Sequence, residues 1–227
     1  MMIRAFSTLL FFRSALVVSF AVCGAGCGST QAVDLVAACP TSTTAFAPPA
    51  LGAAMVRLRL DARPLIEHGR ESYLGESHVA EQQFRVPVAE SLLTILLRDM
   101  SSATLFQPVS RRAADQPFRV DFDILHASAT YTSGLSSVVP VLPSSLEANL
   151  ELRFVFTDAD GRVFLNESFS EKREGSVSAF GGTKQAAAGL LGLAARDVVD
   201  RAIRRMHESY FEFWRKYPAE SRPERAR

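Results

Sequence analysis

The chain has 227 residues, of which 48% are hydrophobic and 22% are charged. This composition is typical of a globular protein and excludes an intrinsically disordered chain, which combines few apolar residues with a high net charge. The 25 basic and 24 acidic side chains give a formal net charge of +1, so no excess of positive charge indicates a nucleic-acid partner. The cysteines, Cys23, Cys27 and Cys39, all precede the predicted folded domain, which therefore has no disulfide framework.

The first residues of the chain have the pattern of an export signal. Two arginines accompany an apolar run, residues 15–23, that is too short for a membrane span, because a spanning helix needs about 20 apolar residues. The small residues Gly-Ala-Gly stand directly before Cys27, and this arrangement resembles the lipobox of bacterial lipoproteins. The resemblance implies cleavage before Cys27 and acylation of that residue. The alternatives are an uncleaved membrane anchor and processing at Cys23.

The residues after the lipobox predict where the anchored protein lies. Gly28 follows the cysteine, and the sorting rule of enteric bacteria then implies the outer membrane, with the protein on its periplasmic face. Residues 28–53 are rich in Ser, Thr, Ala and Pro and contain one charged side chain, Asp34, which predicts a flexible tether. Cys39 lies in this tether, where it is either an intermolecular disulfide partner or an idle thiol.

The predicted organisation therefore has four parts. They are a signal peptide at 1–26, a lipidated cysteine with a flexible tether at 27–53, a single α+β periplasmic domain at 54–217, and a disordered charged tail at 218–227.

Alternating apolar and polar residues predict the strands of this domain. The alternation covers residues 55–61, with Val56, Leu58 and Leu60 on the buried face, and then residues 118–125, 146–156 and 163–170. A turn at 158–161 joins the last two as a hairpin. A short strand is also predicted at 84–87, after a long polar loop at 62–81.

Helical spacing of apolar residues predicts two helices. The first follows Pro87, which suits a first helical turn, and ends near Ser101. The second begins near Thr183, a plausible cap, and its apolar stripe continues for about seven turns until Pro218. The predicted fold is α+β, with an antiparallel sheet of four to five strands and two helices on one face, the C-terminal helix being long.

We find no pattern of residues that predicts catalysis, a metal or a cofactor. The histidines, at positions 68, 78, 126 and 207, lack metal-ligand spacing, and a solvated loop is the alternative to a metal site near His68 and His78. His126 extends an alternating strand, which predicts a partly buried side chain. The Gly-Gly-Thr-Lys sequence at 181–184 lacks the remainder of a phosphate-binding loop and predicts a helix start. The protein is therefore predicted not to be an enzyme.

Two apolar segments are candidate contact surfaces. The segment 131–145 has no charged residue, so it is either buried under the domain's own helices or in contact with a partner or a lipid surface. Its candidate residues are Leu135, Val138, Val139, Val141 and Leu142. The segment 210–217 is rich in aromatic residues, which suits a protein interface or a membrane boundary, and the alternative is packing of the last helical turn. Its candidate residues are Phe211, Phe213 and Trp214.

The chain resembles small envelope lipoproteins of the YajG type over roughly residues 84–206. The shared features are the lipobox, the apolar helix after FRVPVAESLLTILL, the alternating strands, the DADGR hairpin and the Ala-rich last helix. The architecture is also similar to auxiliary lipoproteins of lipid-transporting ABC systems and to the lipoprotein of the lipopolysaccharide-assembly barrel. The resemblance implies binding without catalysis, anchoring to a membrane through lipid, and an envelope protein partner. It leaves the oligomeric state open. The alternative functions are a carrier of a lipid or glycan between sheet and helices, and an anchored enzyme with an unrecognised site.

Overall fold

The computed structural model describes residues 32–47, 51–68, 76–112, 116–132, 144–177 and 182–217. The α-helices of this part of the chain are α1 (Leu35–Ala38), α2 (Val88–Ser102) and α3 (Thr183–Lys216). Its strands are β1 (Ala54–Asp61), β2 (Glu76–His78), β3 (Val109–Ser110), β4 (Phe118–Thr132), β5 (Ser144–Asp158) and β6 (Val163–Val177). Short 3-10 helices cover Leu65–His68 and Glu81–Gln83. None of the described helices is long and apolar enough to cross a membrane.

The strands form one sheet in the order β3-β1-β4-β5-β6, and β2 pairs with the end of β4. β4, β5 and β6 are antiparallel neighbours, as the sequence predicts, but β1 runs parallel to both β3 and β4. The α+β class is confirmed, and the sheet is mixed rather than purely antiparallel. The reason is that α2 lies in the chain between β1 and the strands β3 and β4, and a helical crossover lets the chain re-enter the sheet in the same direction.

The helices agree with the sequence prediction more closely than the strands do. α2 begins directly after Pro87, although Pro87 is the cap rather than a first-turn residue, and Gly182 takes the cap position predicted for Thr183. β4 and β6 extend well beyond the predicted segments, because their second halves are too polar or too mixed to show alternation. The strand predicted at 84–87 is only a single bridge between Phe84 and Val33.

The core lies between the sheet and the helices. The inward face of β5 is buried along its length, at Leu146, Ala148, Leu150, Leu152, Phe154 and Phe156. Leu92, Ile95 and Leu96 of α2 and Val198, Val199 and Ile203 of α3 are likewise buried and belong to the same cluster. The opposite face of the sheet is polar, and Arg57 there forms a two-pronged ion pair with Asp121 of the neighbouring strand. This one-sided burial is what the alternation in β5 predicts.

Two of the three register irregularities in the sheet are bulges in β1 and β4 that change which residues face the core. They lie between Leu58 and Leu60 of β1 and between Ile124 and His126 of β4. Since each bulge adds one residue to its strand, the residues beyond it point to the opposite face. Leu60, predicted to be buried, is therefore 52% exposed, and Asp61 takes the inward position opposite Ile124.

Residues 32–47, predicted as part of a flexible tether, pack on the helices instead. We call them the N-terminal strap. Val33 exchanges backbone hydrogen bonds with the segment before α2, donating to Gln83 and accepting from Arg85 at 2.8 and 2.7 Å. Leu35 and Cys39 of the strap are 1% and 3% exposed. The packed unit thus begins at Ala32 rather than at residue 54.

The strap runs between α2 and α3 in the direction of α3. Near its start, the backbone of Ala38 lies against Gly192 of α3. Further on, the Ser42 hydroxyl bonds to Asp200. At its end, Phe46 stacks on His207 with the ring centroids 4.2 Å apart. Each contact lies one or more turns further along α3, so the strap covers the helix layer from one end towards the other.

The long helix α3 defines two ends of the domain. It runs antiparallel to β6, because Leu190 packs over Gly175 whereas Arg205 pairs with Glu167 at 3.3 Å. We call the end with Val33 and the first turns of α2 and α3 the N-terminal pole. We call the end with the last turns of α3 and the β5–β6 turn the aromatic pole. With 34 residues at 1.5 Å each, α3 is about 51 Å long.

Candidate functional site

The aromatic pole is built where α3 passes the β5–β6 turn. Phe164, at the start of β6, lies 5.2 Å from the ring of Tyr210 and 5.1 Å from that of Phe213. Phe213 in turn contacts Trp214 and Tyr217, with centroids 5.3 and 5.0 Å apart. Most of these pairs are tilted or edge-to-face, which are the favoured arrangements for aromatic rings. The cluster therefore fixes the end of α3 on the sheet.

The three candidate residues of this pole differ in exposure. Phe213 and Trp214 are partly buried and pack against the core. Phe211 is 48% exposed, and Tyr217 beside the cluster is 42% exposed. The Arg162 guanidinium lies 5.8 Å from the centre of the Trp214 ring, within the range of a cation–π contact. Packing of α3 on the sheet thus accounts for the partial burial of Phe213 and Trp214. Phe211 remains as a surface available to a partner.

The remaining sequence candidates fall outside the described residues. Leu135, Val138, Val139, Val141 and Leu142 lie between Thr132, where β4 ends, and Ser144, where β5 begins. Cys27, the candidate lipidation site, also lies outside them. The roles assigned to these six residues therefore stay predictions.

A polar cavity of about 470 Å³ lies between the strap, β6 and α3. Its lining includes Thr43, Glu171, Arg173, Arg196, Asp197, Asp200, Arg201 and Arg204. Arg201 donates to Glu171 at 3.0 Å, and Arg173 pairs with both Glu171 and Asp197. These guanidinium groups are neutralised by carboxylates. The ion pairs that line the cavity therefore mainly hold α3 on β6. Sequence reasoning missed it because its residues come from three distant segments.

A buried cationic side chain holds the start of α2. The side chain of Arg63 is 2% exposed, and it donates to Asp61 at 2.6 and 2.8 Å and to Glu81 at 2.9 Å. Glu81 also accepts from the backbone N–H of Val88 at 2.6 Å, in the first turn of α2, where a carboxylate is favourable. Burial would raise the pKa of Asp61, but the hydrogen bonds and charge of Arg63 outweigh it and lower that pKa. The cluster stabilises the start of α2, and no pattern in the sequence predicted it.

The histidines are spread over the domain. The Nδ1 atom of His126 lies 2.8 Å from Glu67, whose other oxygen accepts from the backbone N–H of Ala127. The side chain of His126 is 41% exposed and therefore partly buried, as the sequence predicts. Glu67 thereby holds its 3-10 helix on β4. Among the described residues, no three His, Cys, Asp or Glu side chains are grouped as a metal site would require.

Cys39 is buried in the strap. Burial raises the pKa of its thiol, although a hydrogen bond and the charge of the neighbouring Arg98 oppose that change. Arg98 also donates to the backbone oxygen of Cys39 at 3.1 Å. A thiol that is both 3% exposed and protonated at neutral pH is a poor nucleophile, so the packed strap does not favour an intermolecular disulfide.

Neither a protein-family model nor a curated protein matches this chain. Among solved structures, the chain is similar to a Xanthomonas campestris protein of family DUF330, with 16% identity and a TM-score of 0.51, over 78% of this chain and 98% of that one. Two others are a minor lipoprotein from Acinetobacter baumannii (12% identity, TM-score 0.38, 72% and 96% covered) and a putative neuraminyllactose-binding hemagglutinin homolog from Helicobacter pylori (13%, 0.42, 80% and 96%). At such identities the first similarity establishes a shared fold and nothing more. The TM-scores of the other two are too low to establish a shared fold.

Proposed function

We propose that the protein is a lipid-anchored bacterial envelope protein of the YajG type that binds a protein partner through its aromatic pole, without catalysis. The observation that carries the binding role is the exposure of Phe211 and Tyr217, at 48% and 42%, beside an otherwise packed cluster. Aromatic residues are enriched at protein interfaces, and a large apolar side chain left in water at a helix end favours such a contact.

The anchor is proposed from the sequence before the domain. Gly-Ala-Gly directly precedes Cys27, and two or three acyl chains would hold the protein stably, because each buried methylene contributes about 0.8 kcal/mol. Gly28 supports the outer membrane, with the domain on the periplasmic side. The role we propose there is in envelope assembly or lipid transport.

A binding role is favoured over catalysis by what the polar groups already do. Both oxygens of Glu67 hold the chain, one beside His126 and one on Ala127. Arg63 and Glu81 are likewise engaged in holding α2. A lipid carrier gains no support from the described residues, since large core side chains such as Phe122 and Phe154 occupy the space between sheet and helices.

The test is photo-crosslinking in living cells. A photoreactive residue at Phe211 should capture an envelope protein, whereas the same residue at Ser168, on the exposed polar strand β6, should not. Capture that is absent at Phe211, or equal at both positions, would contradict the aromatic pole as the binding surface. A probe at Leu135 tests the other sequence candidate in the same way.

The anchor is tested separately by the mass of the N-terminal peptide of the mature protein. An acylated peptide beginning at Cys27 supports it, and the Cys27→Ser variant provides the control. A peptide without acyl groups would overturn the anchor and leave the crosslinking result to stand alone.

A further inference from the structure

We propose that the N-terminal pole of the domain lies against the membrane leaflet that holds the acyl chains, and that the aromatic pole points away from it. This inference rests on the proposed function, because it requires the anchor at Cys27. The occupant of the surface is the lipid headgroup layer. The partner-binding pole is then presented to the periplasm and not to the anchoring membrane.

The first step of the argument is the reach of the chain. Five peptide steps separate Cys27 from Ala32, and whatever conformation they adopt they span at most about 18 Å. A tether that continued to residue 53 would reach about 90 Å by the same measure. The strap removes that freedom, because it is hydrogen-bonded from Val33 onwards.

The second step is where the strap begins. Val33 pairs with Phe84 beside the start of α2, and the strap then runs towards the far end of α3. The point of attachment is therefore at the N-terminal pole. Arg85, which donates to Val33, has a side chain that is 73% exposed, and its contact with Asp34 is long at 3.7 Å. Because this pair is long and Arg85 is well exposed, its guanidinium can also contact lipid phosphate groups.

The third step is the length of the domain. Phe211 lies 19 residues along α3 beyond Gly192, the first residue of that helix that the strap is shown to contact, which is about 28 Å at 1.5 Å per residue. This distance exceeds the reach of the anchor segment. The face of the sheet offers the membrane little as an alternative, since its charges are neutralised in pairs such as Arg57 with Asp121 and Lys172 with Glu147.

The experiment measures distance from the membrane with the acylated full-length mature protein. It is reconstituted in vesicles of phosphatidylethanolamine and phosphatidylglycerol that contain a headgroup-labelled quencher lipid. A fluorophore is attached to Arg85→Cys at the N-terminal pole or to Glu208→Cys near the aromatic pole, in a Cys39→Ala background. We expect most of the emission to be lost at position 85 and none at position 208.

A second variant isolates the short connection. A Gly-Ser linker of about twelve residues inserted between Gln31 and Ala32 adds about 40 Å of reach, and should restore the emission at position 85. Equal quenching at the two positions, or quenching unchanged by the linker, overturns the inference. Acylation is confirmed by mass before the measurement. A chain without acyl groups would overturn the proposed anchor, whereas an acylated chain with equal quenching would overturn only the orientation.

Discussion

The strap makes a clear prediction at Gly192, in the interior of α3. A Cβ at this position would lie 2.8 Å from the carbonyl oxygen and 2.9 Å from the carbonyl carbon of Ala38, and 3.0 Å from the backbone nitrogen of Cys39. These are backbone atoms, which cannot rotate away as the end of a side chain can. Gly192→Ala therefore forces the strap and α3 apart. Gly189, in the same helix, has no atom within 4 Å of its Cβ position and provides the matched control.

The expected magnitudes follow from two opposing effects. Replacing Gly by Ala inside a helix stabilises it by about 1 kcal/mol, and this gain applies at both positions. Only Gly192→Ala also incurs the cost of overpacking, about 1–3 kcal/mol. The free energy of unfolding should therefore be about 1–3 kcal/mol lower for Gly192→Ala than for Gly189→Ala. For a domain of this size that corresponds to a difference of several degrees in Tm.

Two measurements check this prediction in the Cys27→Ser protein, from which the proposed acylation site is removed. Urea unfolding followed by circular dichroism gives the difference in stability. The rate at which a maleimide modifies Cys39 reports on the strap itself, because that thiol is 3% exposed when the strap is packed. We expect faster modification in Gly192→Ala only. If both variants were equally stabilised and Cys39 stayed protected, the packing of the strap on α3 would be refuted.

Three further predictions concern other parts of the domain. Arg63→Met should lower the free energy of unfolding by about 2–3 kcal/mol in urea titrations, because it leaves two partly exposed carboxylates without their buried cation. The native pKa of Asp61 is below its unfolded value of about 3.9, so its contribution to stability is present above that pH and is lost as the pH falls through the native pKa. In an acid titration, the free energy of unfolding of Arg63→Met should therefore fall less steeply than that of the unmodified protein. Phe211→Ser should leave Tm within about 2 °C, because the residue is already 48% exposed in the folded domain, while it abolishes partner capture. Phe213→Ser should lower Tm clearly, because its ring packs against the core, and equal Tm values for the two variants would contradict the division between them.

The sequence predicted the elements whose signals are local. The helix after Pro87 and the helix from Thr183 to Lys216 follow from apolar spacing and from proline at their boundaries, and both lie where they were predicted. The alternation in residues 146–156 identified the buried face of β5 correctly. The α+β class followed from the order of these elements.

The site candidates were predictable only in part. Aromatic composition drew attention to residues 210–217, but it could not separate Phe211, which is exposed, from Phe213, which packs on Phe164. That separation depends on where the β5–β6 turn meets α3, which is a property of the folded domain. The arginine-lined cavity and the Arg63 cluster gave no signal, because their members are polar residues scattered through the chain.

What the sequence determined by itself is the set of local periodicities, which reside in short stretches of chain. The export signal and the anchor at Cys27 also reside in a short stretch, and they stay predictions. Tertiary structure alone decided the parallel placement of β1, the bulge that exposes Leu60, and the docking of the strap. The strap shows the physical reason. Its composition is that of a tether, and it is ordered by contacts with residues far along the chain, such as Ala38 with Gly192 and Ser42 with Asp200. No local pattern in the sequence predicts contacts between residues that lie so far apart in the chain.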